Sequence, residues 1–201
     1  MARNKRDTSL RKVQLAALGV TIAALAAMVW VALRGPEGGP DLGQGDYALQ
    51  ATDGTPFTEA TLHGRPSAVF FGYTHCPDVC PTTLGDVAGW QRDLDSAASQ
   101  LRIFFVTVDP ERDTLPMLRD YLSWTDGVIG VTGPRPEIDK AIAAFRIYAR
   151  KVPGQGSDYT MDHTASVMLF DSDGRFVEKI AYQEPIETVL PKLHRLIGIE
   201  H

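Results

Sequence analysis

Hydrophobic and polar positions fall into blocks along the chain, and each block has its own period. Leu15–Leu33 runs nineteen residues without a charge, enough for a helix to cross about 30 Å of hydrocarbon. The next stretch, GPEGGPDLGQGD, has no period and reads as a flexible tether. Tyr47–Gln50 then predicts a short strand, Asp53-Gly54 a hairpin turn and Thr55–Leu62 the returning arm. Ser67–Phe71 is apolar and predicts a central strand. Leu101–Pro110 is apolar on both sides of the alternation, the pattern of a strand buried on both faces. Between them Leu84, Val87, Leu94 and Ala98 recur at helical steps, predicting a helix from Thr82 to about Ala98, and Pro81 can occupy the first helical turn, where its missing N–H costs nothing.

The same alternation continues to the C-terminus. Helices are expected at Leu115–Trp124 and at Glu137–Arg150, the latter with Ile138, Ile142 and Phe145 on its apolar face, and a short strand at Val128–Val131. Ala165–Phe170 and Arg175–Tyr182 read as strands joined by a turn at Asp171–Gly174. The last apolar face is Ile186, Val189, Leu190, Leu193, Leu196 and Ile197, with Pro191 predicting a kink or a restart. Lys151–His163 is the least periodic part, a Gly-rich loop of a length that is uncommon unless functional. Strands alternating with helices give an α/β layered domain, a central sheet flanked by helices.

Charge alters the reading at the N-terminus. Arg3, Lys5, Arg6, Arg11 and Lys12 face a single Asp7 ahead of the apolar run. The excess of basic residues keeps that side in the cytoplasm, and Trp30 suits the far interface. The expected organisation is a basic tail at 1–14, a single-pass anchor at 15–33, a linker at 34–46 and a domain at 47–201 in the periplasm of a bacterium, the anchor lying in its inner membrane. A cleaved signal peptide is the alternative. The net charge of −5 and the lack of a basic stripe give no sign of nucleic-acid binding. Two cysteines are too few to staple a small secreted fold, so the domain must hold by packing.

Those two cysteines carry the candidate chemistry. Cys76 and Cys80 stand in FFGYTHCPDVCP, where the central strand gives way to a helix, each followed by proline. This is the carboxyl end of a strand, where open α/β sheets place their sites. Two thiols at this spacing can form a disulfide or clamp a soft metal. A metal needs a further donor. His163, ending the long loop next to Asp162, is the best placed, with Asp162 either orienting the imidazole or facing water. His75 adjoins Cys76 but adjacent side chains diverge, and Met161 is a soft donor or a gap-filler. His63, His194 and His201 read as inert, and Tyr73, Tyr148 and Tyr159 as walls of the site or as core. Asp109, at the end of its strand, faces the cysteine rim or shapes a turn. Two sulfurs and one nitrogen suit a three-coordinate copper(I) site better than four-ligand structural zinc.

The blocks GYTHCPDVCP, VTVDPERDT and YTMDHTASVMLFDSDGRF, in this order, resemble the SCO/SenC family of membrane-anchored copper chaperones for cytochrome c oxidase. The likeness runs from about Asp46 to Ile199. It implies a thioredoxin-like fold with an N-terminal hairpin and an inserted hairpin or loop before the last strands. It implies that Cys76, Cys80 and His163 bind one copper ion, Cu+ and also Cu2+, in a monomeric domain. It further implies delivery to the binuclear site of oxidase subunit II, with an extracytoplasmic copper donor and a thiol reductant as partners. The alternative within the same resemblance is a thiol–disulfide oxidoreductase that reduces the cysteines of that site, with Cys76 and Cys80 redox-active.

Overall fold

The computed structural model describes residues 41–154 and 158–199. The basic tail, the anchor and most of the tether lie outside the described residues, as does His201. Among the described residues no helix is long and apolar enough to cross a membrane.

Short strands β1 (Leu49–Ala51) and β2 (Pro56–Phe57) form the N-terminal hairpin. Of the expected returning arm only Pro56–Phe57 is strand, and Glu59–Leu62 turns into a 3₁₀ helix. β3 (Ser67–Gly72) follows, then helix α1 (Val79–Leu94), β4 (Arg102–Thr107), α2 (Leu115–Tyr121), β5 (Val128–Thr132) and α3 (Arg135–Ala144). A separate ribbon of β6 (Ala149–Pro153) and β7 (Tyr159–His163) comes next. The chain closes with β8 (Val167–Phe170), β9 (Phe176–Ile180) and α4 (Ile186–Ile197).

The main sheet has the order β2-β1-β5-β4-β3-β8-β9. Its centre, β5-β4-β3, is parallel, and β1 and β8 flank it antiparallel. All six residues of β3 are buried, as expected of a strand covered on both faces. Phe71, Phe145, Phe170, Phe57 and Tyr47 pack their rings at centroid separations of 5.1–6.5 Å on one face. Cys80, Leu84, Val87 and Trp90 of α1 are buried, and α1 lies beside α4. This is an open α/β sheet of thioredoxin-like topology.

Three element boundaries depart from the pattern. α1 starts at Val79, three residues before the expected Thr82, with Pro81 in its first turn as its missing N–H allows. α3 stops at Ala144, six residues short, because Arg146 takes φ 51° and redirects the chain. Helix α4 runs through Pro191 without a break, ending at Gly198 with φ 74°.

Candidate metal centre

The connection from β3 to α1 builds one half of the centre. Gly72 ends β3 beneath Cys80, and a side chain there would come within 2.8 Å of the Cys80 Sγ and 2.7 Å of the Phe105 ring. Glycine is therefore required for space. Asp113, fully buried, holds the next residue: it accepts from the Thr74 amide at 3.0 Å, the Thr74 hydroxyl at 2.6 Å and the Thr107 hydroxyl at 2.6 Å. Burial raises its carboxyl above the ordinary value, and those hydrogen bonds pull the other way. Asp113 thus ties the cysteine turn to β4. Sequence reasoning missed it, because an acid in DPERDT looks like a turn former.

Cys76 sits half-buried on the turn and Cys80 lies buried in the first turn of α1. Both thiols are free. The Cys80 amide donates to the Cys76 Sγ at 3.4 Å, so Cys76 caps the helix start. Hydrogen bonding from Cys80 pulls the Cys76 thiol down to about 4. Cys80 moves the opposite way, because it supplies that hydrogen bond and is buried. The shared hydrogen bond favours the thiolate at Cys76 and the thiol at Cys80.

The ribbon supplies the other half. Where the residue pattern reads as an aperiodic loop, Ala149–Pro153 and Tyr159–His163 are paired strands, the inserted hairpin the resemblance implies, with Ala149 opposite His163 and Pro153 opposite Tyr159. His163 Nδ1 donates to the Thr164 carbonyl at 2.9 Å, which leaves Nε2 free to act as a donor atom. Nε2 lies 3.5 Å from the Cys80 Sγ. The Tyr73 ring meets the imidazole edge-on at 90° and 5.7 Å, and Phe70 approaches at 6.4 Å. Asp162 plays no part in orienting the imidazole. It is exposed and pairs with Arg150 at 3.6 Å.

The structure brings Cys76, Cys80 and His163 together, with one donor atom from each lying within 4.8 Å of the others. Metal–donor bonds of about 2.0–2.3 Å set donors roughly 4 Å apart around a three-coordinate ion. The cluster can therefore close on a single metal ion with sub-ångström shifts, and thiolate with imidazole selects a soft ion such as copper(I). Met161 is buried on β7, and Tyr148, 55% exposed, walls a cleft of about 510 Å³ in front of Cys76 and His163. His75 is exposed and contacts Thr74. His63 pairs with Asp173 near the far end of β3, and His194 belongs to α4. Asp109 is buried behind the ribbon, where it accepts from Tyr159 and shapes the turn through Arg112 and Asp113.

Comparison with known proteins agrees with this geometry. The SCO1/SenC profile matches residues 36–198. The chain belongs to the SCO1/SenC family. It is 34% identical to the mitochondrial protein SCO1 of Saccharomyces cerevisiae over 160 residues, which are 78% of this chain and 54% of that protein. It is 34% identical to the human SCO1 homolog over 145 residues, 70% of this chain and 48% of the relative. The chain thus spans about half the length of the curated relatives it matches. Among solved structures, copper-bound ScoI of Bradyrhizobium japonicum is 42% identical, with a TM-score of 0.70 over 75% of this chain and 96% of that one. Copper-bound yeast Sco1 is 31% identical, with a TM-score of 0.72 over 81% and 91%.

Proposed function

We propose that this protein is a copper metallochaperone that carries one copper ion on Cys76, Cys80 and His163. Its task in this reading is to help assemble the binuclear copper site of cytochrome c oxidase subunit II. The observation that carries the reading is the convergence of two thiols and an imidazole Nε2 within 4.8 Å at the end of a parallel strand. The likeness to two copper-bound family members supports copper as the ion.

Copper is the cargo, and the geometry suggests how it is taken up and given away. The ion meets Cys76 first, since that sulfur is the more exposed of the two and the Cys80 hydrogen bond favours its thiolate. Cys80 then gives up its proton as the ion replaces the hydrogen bond to Cys76. His163 completes the set with the nitrogen that Thr164 leaves free. Release proceeds by stepwise ligand exchange with incoming cysteines across the open cleft, with no net redox change. Oxidation of the two thiols to a disulfide abolishes copper binding and makes loading depend on an extracytoplasmic thiol reductant.

A second reading rests on the same thiolate. A dithiol with one strongly depressed member is equipped to attack a disulfide, so reduction of the target's cysteines is the alternative task. In either case the domain at 47–201 works outside the inner membrane of a bacterium, on a linker at 34–46 and an anchor at 15–33, and receives copper from an extracytoplasmic donor. The basic tail and the uncharged run Leu15–Leu33 support that placement.

The test is stoichiometry. Full-length reduced chain in detergent, titrated with copper(I) and dialysed, is expected to retain one copper per chain. Retention near zero with both thiols shown to be reduced removes the chaperone reading and leaves the reductase.

A further inference from the structure

His163 rides on a ribbon that shares no strand pairing with the main sheet. The cleft holding Cys76 and Tyr148 lies on it, and a second, polar cavity between Asp109, Glu111 and Arg135 lies against its Ala149 and Lys151. Met161 lines both. An isolated two-stranded ribbon is marginal, and one bordered by cavities has few packing partners to fix it.

The Tyr73 hydroxyl hydrogen-bonds the Met161 backbone from the cysteine turn. The fastening to the turn after β4 is concentrated at Tyr159, with Arg112 Nη1 also 3.6 Å from Asp158. The Tyr159 hydroxyl donates to Asp109 Oδ1 at 2.7 Å, and its carbonyl accepts from Arg112 Nη1 at 3.1 Å. The Arg112 guanidinium lies 3.7 Å from the centre of the Tyr159 ring. Arg112 Nε donates to the other oxygen of the buried Asp109. Arg112 Nη2, by contrast, is buried with no hydrogen-bond partner among the described residues, a cost set against the clamp's other contacts. Tyr159, Met161 and His163 alternate onto one face of β7, so the height at which Tyr159 is held sets the height of His163.

We propose that Arg112 and Tyr159 are positioning residues. The Asp109–Arg112–Tyr159 clamp holds His163 Nε2 against the two thiols, and its opening sets how fast copper leaves. This rests on the copper reading above, and neither residue touches the ion. A planar guanidinium that bonds a carboxylate and a carbonyl while stacking on a ring has no substitute in lysine.

The test measures loss of copper(I) from full-length, one-copper chain to an excess of copper(I) chelator. Tyr159→Phe, which removes one hydroxyl, is expected to speed the loss about fivefold, and Arg112→Met about tenfold or more. Arg112→Lys is expected to fall between them. The decisive arm repeats each substitution in the His163→Ala background, where no imidazole is left to position and the acceleration is expected to shrink below about twofold. In the metal-free chain the same variants are expected to show faster amide exchange over 159–163 with β3 unchanged. Equal acceleration in both backgrounds, or folded variants with no acceleration, overturns the proposal. If Arg112→Met fails to fold, Tyr159→Phe and Arg112→Lys decide it. Wild-type chain that holds no copper strikes down the underlying reading instead, an outcome distinct from copper lost at one rate with and without the clamp.

Discussion

At the scale of single residues the centre is asymmetric, although its two cysteines look equivalent in the sequence. Cys76 accepts from the amide at the start of α1, and Cys80 is buried against Gly72 at the end of β3. The helix start and the Cys80 hydrogen bond both stabilise a negative sulfur on Cys76. Because alkylation follows the thiolate, the reduced metal-free chain is expected to react with iodoacetamide at Cys76 at a rate nearly flat from pH 6 to 8. The sign follows from the depressed value: the thiolate persists at neutral pH and is lost only as pH falls toward about 4. An ordinary thiol instead gains about tenfold per pH unit below about 8.5. Mass spectrometry of the alkylated chain assigns the site, and a tenfold rise per unit between pH 6 and 8 contradicts the asymmetry. Histidine is fixed by an equally local device, since the Thr164 carbonyl takes the Nδ1 proton and turns Nε2 to the sulfurs.

At the scale of elements, β3 and α1 meet with no space to spare at Gly72. A methyl there reaches within 2.8 Å of the Cys80 Sγ and 2.7 Å of Phe105, neither of which is a flexible chain end free to swing away. Gly72→Ala is expected to lower stability by about 2 kcal/mol through overpacking and to weaken copper retention by displacing Cys80. Thermal unfolding and chelator competition on the same samples check both effects, and wild-type values for each show that the contact relaxes freely. The sequence was informative where apolar patterns were long: β3, β4, α1 and α4 are legible because burial on both faces or on one helical stripe leaves a period to read. From the residue pattern the ribbon was not legible, because Met161 is its one buried residue and Ala149–Pro153 carries no apolar alternation; the inserted hairpin came from the family resemblance alone. The end of α3 was missed for a different reason. The apolar period continues through Phe145, and the turn is made by Arg146, where a glycine would have been the visible signal. Cys76, Cys80 and His163 were all nominated from residue type and position. Asp113 and the Arg112 clamp were hidden because their partners, Thr74 and Tyr159, lie 39 and 47 residues away.

At the scale of the whole molecule, three chain segments separated in sequence close on one rim. β3 delivers the thiols, the turn after β4 secures them through Asp113, and the ribbon inserted between α3 and β8 brings the imidazole. The first described residues, around Gly43, lie beside Phe170, at the end of β3 remote from that rim. This division of labour separates the two candidate tasks. Thiol exchange needs β3 and α1 alone, whereas a three-donor copper site needs the ribbon as well. His163→Ala is therefore expected to weaken copper(I) binding by about tenfold or more, the effect expected for a lost metal-site partner, while leaving the rate of reduction of a model disulfide within about twofold of wild type. Cys76→Ser and Cys80→Ser are expected to abolish both and so separate nothing. In cells, His163→Ala is expected to lower assembly of the oxidase copper site in step with the lost affinity. Unchanged copper affinity without the imidazole removes His163 from the ligand set. Normal oxidase assembly despite weakened copper binding makes reduction of the target's cysteines the working function, carried by Cys76 as the attacking thiolate.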